Sequence, residues 1–170
     1  NANKVVVAGG AWSKALTRPL GDDIPLETER GYNTTLPPGS FDLRRQLVMM
    51  RHGFVVTPLS TGIRVGGAVE LGGLHLPPNF ARADAMLQKA AMLMPGMVTT
   101  GGKQWMGFRP SLPDSLPAIG HSRATPNIIY AFGHGGLGLT LSAATGKLVA
   151  ELLTGAPSST DLAPFSPQRF

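Results

Sequence analysis

A glycine-rich stretch near the C-terminal end combines residue types and spacing that could do chemistry. It reads GHGGLG, residues 133–138, and lies between a strand-like run, IIYAF, and a helix-like run. At such a helix entrance, free backbone N–H groups and the positive end of the helix dipole attract a negative group, and glycines let that group approach the main chain. The stretch therefore predicts contact with an anion or a cofactor. A turn that only makes room for helix–strand packing stays open as the alternative.

Arg109 is the second candidate, in the stretch GFRPSLPDSLPAIG. A guanidinium held between Phe108 and Pro110 in a rigid loop suits bidentate binding of a carboxylate. Alternatively, Arg109 forms an ion pair with Asp114, whose residue type is common at turns and caps. The pattern favours packing roles for both tryptophans, of which Trp105 is the better site candidate because it lies close to Arg109 in the chain.

Other kinds of site find no support in the sequence. No Lys-Ser/Thr pair follows the glycine-rich stretch, which excludes a Walker phosphate loop, and its glycines are too dense for a dinucleotide fingerprint. The absence of cysteine and of a G-x-S-x-G elbow argues against thiolate chemistry, disulfides and serine hydrolysis. We expect no metal site, because no carboxylate pair accompanies the four histidines at ligand spacing: His52, His75, His121 and His134.

Composition sets broad limits on the class of protein. The chain has 170 residues, 42% of them hydrophobic, which is enough for a globular core. Its net charge of +5 comes from basic residues that are scattered, so we expect no nucleic-acid binding. No apolar run approaches the roughly 20 residues of a membrane span, and there is no signal-like N-terminus, which predicts a cytoplasmic protein. The first residue is not methionine, and a strand follows at once, as in a fragment whose beginning is missing.

The two ends of the chain show patterns of buried strands followed by helices. Residues 5–8 form a short β-branched run typical of a parallel strand, and residues 11–16 resemble a helical turn. Residues 101–127 hold four prolines and four glycines, which predicts an ordered loop. Residues 128–133 read as a buried strand. The following helix carries an apolar stripe made of Leu141, Ala144, Leu148 and Leu152.

The middle of the chain has a different pattern. Residues 24–73 contain short alternating segments separated by the turn sequences PPG and STG, which predicts an antiparallel sheet. A helix then begins after Pro77-Pro78-Asn79 and ends at Pro95-Gly96. We expect it to pack on the sheet through residues at helical spacing, namely Phe80, Ala83, Leu87, Ala91 and Met94.

The motifs GFRPSLPDSLPAIG and FGHGGLGLT resemble, in this order, the C-terminal part of the FAD-dependent D-amino-acid oxidase superfamily, and within it the D-amino-acid dehydrogenases. VVVAGGAWSKAL and GIRVGGAVELGG resemble further segments of those enzymes, so the resemblance covers nearly the whole chain. It implies an α+β fold with an antiparallel substrate-binding sheet and one helix in residues 24–98. Residues 1–23 and 99–170 would form the C-terminal part of a doubly wound FAD-binding domain.

The resemblance also implies roles for individual residues. Arg109 matches the arginine that pairs with the substrate carboxylate. Tyr32 falls where the chain enters the substrate domain, and it either lines the pocket or packs within the sheet. The implied cofactor-binding residues are Gly9, Ala11, Trp12, Gly133, His134, Gly135, Gly136, Leu137, Gly138, Leu139 and Thr140.

The reaction implied by the resemblance is oxidation of a D-amino acid to the imino acid, with hydride passing to FAD. One motif of the superfamily, the G-x-G-x-x-G that holds the ADP half of FAD, is absent. We therefore expect a C-terminal fragment that does not turn over alone. A glycine- or sarcosine-oxidase-like enzyme and a non-catalytic carboxylate-binding module remain as alternatives.

The resemblance further implies a small amino acid as the substrate. The small residues of RVGGAVELGG favour a compact substrate such as proline or alanine. The electron acceptor is either oxygen or a quinone, and a quinone would bring peripheral contact with a membrane. If the chain lacks its partner half, exposed apolar surface should drive self-association into a homo-oligomer.

Overall fold

The computed structural model describes residues 2–170, which form two compact units. The first contains the chain up to Glu29 together with Arg109–Phe170, and the second is Arg30–Phe108. The sequence predicted the boundaries between residues 23 and 24 and between residues 98 and 99. In the structure both changes of unit fall inside strands, β2 (Glu27–Leu36) and β6 (Lys103–Ser111). The functional labels of the domains stay predictions.

The first unit contains a three-stranded mixed sheet. Its strands are β1 (Val5–Val7), β7 (Ala118–His121) and β8 (Ile128–Phe132), in the order β1-β8-β7. The central β8 pairs in parallel with β1 and antiparallel with β7. This confirms the two strands predicted at the ends of the chain. The helices of this unit are α1 (Ser13–Thr17) and α3 (Gly138–Thr154).

The second unit contains most of a five-stranded sheet. Three further strands, β3 (Leu47–Met49), β4 (Phe54–Leu59) and β5 (Gly62–Leu71), join β2 and β6 in the order β3-β4-β5-β2-β6. The β3–β4 and β4–β5 pairs are antiparallel, as the alternating pattern predicted. Together with the helices these sheets confirm the α+β class.

Helix α2 (Ala81–Leu93) packs on this sheet as predicted. Its buried face is turned slightly from the predicted stripe, because Met86 and Ala90 are buried whereas Leu87 is only partly so. The core beneath it consists of side chains that alternate along the strands: Tyr32, Leu36, Phe54, Val56, Ile63 and Val65.

The prediction of a loop over residues 101–127 is wrong, because β6 and β7 lie within it. Pro110 sits inside β6 without breaking it, since β6 is the last strand in the sheet order and an edge strand can lack one N–H donor. Arg109 therefore lies on a strand and not on a loop.

Helix α3 is less buried than its pattern predicted. Of the predicted apolar stripe only Leu148 is buried, and Ala144 is exposed.

The 20-residue segment Gly135–Thr154 is also long and apolar enough to cross a membrane, which corrects the expectation that no run approaches that length. Only 6% of this segment is buried, and length and composition alone are weak support for a span.

Asp22 forms a buried polar cluster in the first unit. Its Oδ2 accepts hydrogen bonds from Ser122 Oγ at 2.5 Å and Tyr130 Oη at 2.7 Å. Burial acts to raise the pKa of Asp22, but hydrogen bonds from Ser122, Tyr130 and the backbone of Arg123 outweigh it and hold that pKa below its ordinary value. Burial also raises the pKa of Tyr130 to about 12, so its hydroxyl remains a donor at neutral pH.

This cluster predicts a loss of stability in acid. A carboxyl group whose pKa is lower in the folded state stabilises the fold above its unfolded pKa and loses that contribution as the pH falls through the folded value. We expect the melting temperature of wild type to fall more steeply than that of Asp22→Asn between about pH 5 and pH 2. An equal fall in melting temperature for the two proteins over this pH range would contradict the role assigned to Asp22.

Candidate active site

Two glycine-containing turns meet at one edge of the sheet in the first unit. Because β1 and β8 are parallel neighbours, residues 9–12 after β1 and residues 133–137 after β8 leave the sheet at the same end. In open α/β sheets, ligands bind outside the carboxyl ends of the strands. The structure thus brings the two predicted cofactor segments together, Gly9, Ala11 and Trp12 with residues 133–140.

The turn after β8 requires glycine at its first position. Gly133 has a φ of 87°, and a Cβ there would come within 2.6 Å of Leu112 Cδ1. A short 3-10 turn, Gly135–Leu137, then leads into α3. No described residue caps the N-terminus of α3 with its side chain, and the first turn contains no acidic residue. The positive end of the α3 dipole therefore has no acidic side chain beside it in the first turn, which favours an acceptor on a ligand.

The steric role of Gly133 gives a paired prediction. Gly133→Ala should lower the free energy of unfolding by about 1–3 kcal/mol, because it adds strain at positive φ and a clash with buried Leu112. Gly146 in α3 is the matched control, since a Cβ there meets no atom within 4 Å. Gly146→Ala should instead raise the free energy of unfolding by about 0.5–1 kcal/mol. Chemical denaturation of both variants measures these changes, and a shift of the same sign in both would refute this explanation.

Apolar side chains stand exposed around this turn. Leu137 is 58% exposed and Leu139 is 90% exposed, and Trp12 at the neighbouring turn is also exposed. Thr140 is exposed, whereas Ala11 is buried and packs within the unit. An uncapped helix start next to exposed leucines provides both polar N–H donors and apolar surface, a combination suited to a partly planar, partly polar ligand.

His134 anchors the turn. Its Nε2 lies 2.9 Å from Thr145 Oγ1 on α3, and its backbone forms a bridge with Ser111 at the end of β6. Burial lowers the pKa of His134, so the imidazole is neutral at pH 7. The attraction of this turn for negative charge therefore comes from backbone N–H groups and not from an imidazolium.

Arg109 lies against the same turn. A Cβ on Gly136 would stand 3.7 Å from Arg109 Cδ and 3.9 Å from its Nε. The side chain is half-buried, and its guanidinium has no hydrogen bond or ion pair with any residue in the described part of the chain. A half-buried cation without a protein partner is suited to bind an anionic ligand group.

The alternative partner of Arg109 is already occupied. Asp114 Oδ2 accepts a hydrogen bond from Arg169 Nε at 2.7 Å, and Oδ1 accepts one from Arg169 Nη2 at 3.1 Å. The Arg169 hydrogen bonds hold the pKa of Asp114 below its ordinary value. Asp114 also accepts the N–H of Leu116 at 3.1 Å, as a turn residue does. The interpretation of Arg109 as the ion-pair partner of Asp114 is therefore wrong.

Tyr32 belongs to the core of the second unit. Its side chain is 1% exposed, and its hydroxyl donates to Glu70 Oε2 and accepts the N–H of Asn79 at 3.0 Å. Its ring meets Phe80 edge-on with centroids 5.9 Å apart. These contacts match the packing role that the sequence left open. Its catalytic role stays a prediction.

Arg30 is a buried residue whose importance the sequence did not reveal. Its side chain is fully buried, with Nε donating to the carbonyl of Gly73 and Nη2 to that of Leu76, both at 2.8 Å. Nη1 donates to the carbonyl of Pro77 at 3.2 Å and lies 3.6 Å from Glu70 Oε2. Arg30 thus holds the segment between β5 and α2. The only local signal is an arginine within the strand-like run LETERGYNTTL.

Within residues 2–170, the structure shows no group of three or more His, Asp or Glu side chains placed to hold a metal ion. The expectation that no metal is needed stays a prediction.

Comparison with known proteins identifies the family. The model of the family described as FAD dependent oxidoreductase (DAO) matches residues 1–152. A D-amino-acid oxidase of Bradyrhizobium diazoefficiens is 45% identical over 97% of this chain and 40% of its own length. A D-amino acid dehydrogenase of Paramagnetospirillum magneticum is 35% identical over 99% of this chain and 40% of its own length. The chain therefore spans about two fifths of these relatives.

Solved structures agree with this family. Glycine oxidase from Geobacillus kaustophilus superposes with a TM-score of 0.88 and 27% identity, over 99% of this chain and 46% of that one. L-proline dehydrogenase from P. horikoshii shares the fold, with a TM-score of 0.78 and 23% identity over 98% of this chain and 46% of that one. With a family match over residues 1–152 and the predicted motifs in place, the chain belongs to the FAD dependent oxidoreductase (DAO) family.

Proposed function

We propose that the full-length protein containing this chain oxidises a D-amino acid to the corresponding imino acid, with FAD as cofactor. The observation that carries this proposal is Arg109, a half-buried guanidinium without a protein partner that lies against the glycine turn before α3. A carboxylate is the ligand group that a guanidinium fork fits best. The D-amino-acid oxidase and dehydrogenase named above support the choice of substrate class.

The residues at the sheet edge fit a flavin. The glycine turn lets a ring system approach the backbone, the uncapped start of α3 offers N–H donors, and exposed Leu137 and Leu139 offer apolar surface. When bound, FAD supplies the acceptor for the hydride that leaves the substrate Cα. Residues 9–12 and 133–140 are the part of this chain that would hold it.

The side chains of this chain have positioning roles in the proposed reaction. Arg109 binds the substrate carboxylate and thereby sets the orientation of Cα. The N-terminus of α3 stabilises negative charge that develops next to the turn, through its N–H groups and dipole. His134 is neutral and bonded to Thr145, so it holds the turn in place and does not act as a charged group.

The test is anaerobic mixing of the purified full-length protein with single amino acids. The visible absorbance of oxidised flavin should be present before mixing and should bleach with D-alanine or D-proline but not with their L-enantiomers. A colourless protein that still binds D-amino acids would point to a carboxylate-binding module. Bleaching by the L-enantiomers alone would refute the assignment of substrate class.

A glycine- or sarcosine-oxidase-like activity is the second candidate. It is favoured by the glycine oxidase structure, which superposes on 99% of this chain. A substrate panel separates the two, because glycine and sarcosine should then exceed D-alanine in kcat/KM. Oxygen uptake compared with reduction of a soluble quinone analogue identifies the electron acceptor. Until such measurements, the acceptor, cytoplasmic location, membrane contact and oligomeric state stay predictions.

A further inference from the structure

The second unit contains a cavity that the proposed reaction does not use. Its volume is about 760 Å³, within the range of sites that bind small molecules. It lies wholly within Arg30–Phe108, at one end of strands β2, β5 and β6. Its lining includes the side chains of Thr35, Arg64, Lys103 and Trp105.

The charge of this cavity is positive. Arg64 and Lys103 line it, and none of its lining residues is acidic. Arg64 Nε donates to Thr35 Oγ1 at 3.1 Å, which fixes the guanidinium while its terminal nitrogens have no partner in the described part of the chain. Lys103 likewise has no ion pair among residues 2–170. Two cations without a counter-ion on one cavity wall favour an anionic ligand.

An aromatic surface accompanies these cations. Trp105 is 60% exposed, and its indole lies over Gly107, where a Cβ would come within 2.1 Å of a ring carbon. Glycine at this position therefore lets the ring lie flat along its own strand. A large exposed ring held in this way offers a face for stacking with another planar ring.

We propose that this cavity binds a planar organic anion, an aromatic carboxylate whose ring stacks on Trp105 and whose carboxylate pairs with Arg64 and Lys103. The site is separate in its residues from Arg109, and the proposal does not depend on the proposed reaction.

The experiment is calorimetric titration of the full-length protein with 4-nitrobenzoate, carried out in an Arg109→Leu background so that the proposed substrate site cannot bind the probe. Binding should persist in this background. Added Arg64→Gln or Lys103→Gln should each weaken it about 10-fold, because each removes a charged partner of the carboxylate. Added Trp105→Leu should weaken it about 10-fold by removing the stacking face. Neutral nitrobenzene should bind more weakly than the anion.

Arg44→Gln in the same background is the matched control. It removes one positive charge from an arginine of the same unit whose side chain is largely exposed and lies outside the cavity. It should leave the affinity for 4-nitrobenzoate unchanged. The proposal is overturned if Arg109→Leu abolishes binding, if the probe does not bind at millimolar concentration, or if the two cavity variants bind as tightly as the Arg44→Gln control.

Discussion

Arg109→Leu in the full-length protein should raise KM for a D-amino acid by about 10²- to 10³-fold, because it removes a two-pronged, charge-assisted contact with the substrate carboxylate. In the described part of the chain the guanidinium has no other partner, so its loss should cost little stability. The measurement is steady-state kinetics with D-alanine or D-proline, together with a melting curve that shows the variant is folded.

Two further variants sharpen this result. Arg109→Lys keeps the charge but loses the planar fork, so we expect a KM between those of wild type and Arg109→Leu. Arg51→Leu removes an exposed arginine of the second unit and should leave KM unchanged. An unchanged KM in Arg109→Leu would refute the carboxylate role. An equal rise in Arg51→Leu would show that only net charge matters.

Arg30→Met should lower the free energy of unfolding by about 3–5 kcal/mol, the usual cost of removing one partner from a buried charged network. The variant leaves the carbonyls of Gly73, Leu76 and Pro77 without their donor, and Glu70 without its buried cation. Methionine is similar in length and apolar, so the cost reports lost hydrogen bonds more than a cavity. Denaturant unfolding followed by circular dichroism measures it.

Arg82 provides the matched control for Arg30. Its Nε lies 3.4 Å from Glu70 Oε1, close to the 3.6 Å of the Arg30 pair, but its side chain is 42% exposed. Arg82→Met should therefore change the free energy of unfolding by less than about 1 kcal/mol. Similar decreases in the free energy of unfolding in both variants would show that burial does not determine how much these ion pairs contribute to stability.

Local patterns predicted most of the elements. Val5–Val7 and Ile128–Phe132 are short β-branched or apolar runs followed by glycine, and Ala81–Leu93 follows proline signals at its start. In each of these cases the residues that decide the structure lie next to each other in the chain. The antiparallel hairpin of β4 and β5 also follows from its turn residues.

Residues 101–127 show where local patterns are insufficient. Four prolines predicted a loop, yet Lys103–Ser111 is a strand, because its position at the edge of the sheet removes the need for one N–H donor. Edge position depends on the order of strands in space. No window of the sequence contains that order.

The sequence by itself determined the family, the strand–glycine turn–helix unit, and the pairing of that unit with an arginine motif, because these are properties of contiguous residues. Only the tertiary structure decided which charged groups pair with each other and which are buried. Asp114 pairs with Arg169, 55 residues further along the chain, which leaves Arg109 beside the glycine turn without a partner. Arg30 is buried because carbonyls more than 40 residues away surround its guanidinium. The energetic contribution of a charged group depends on its distance to other charges and on its burial, and both are set by folding.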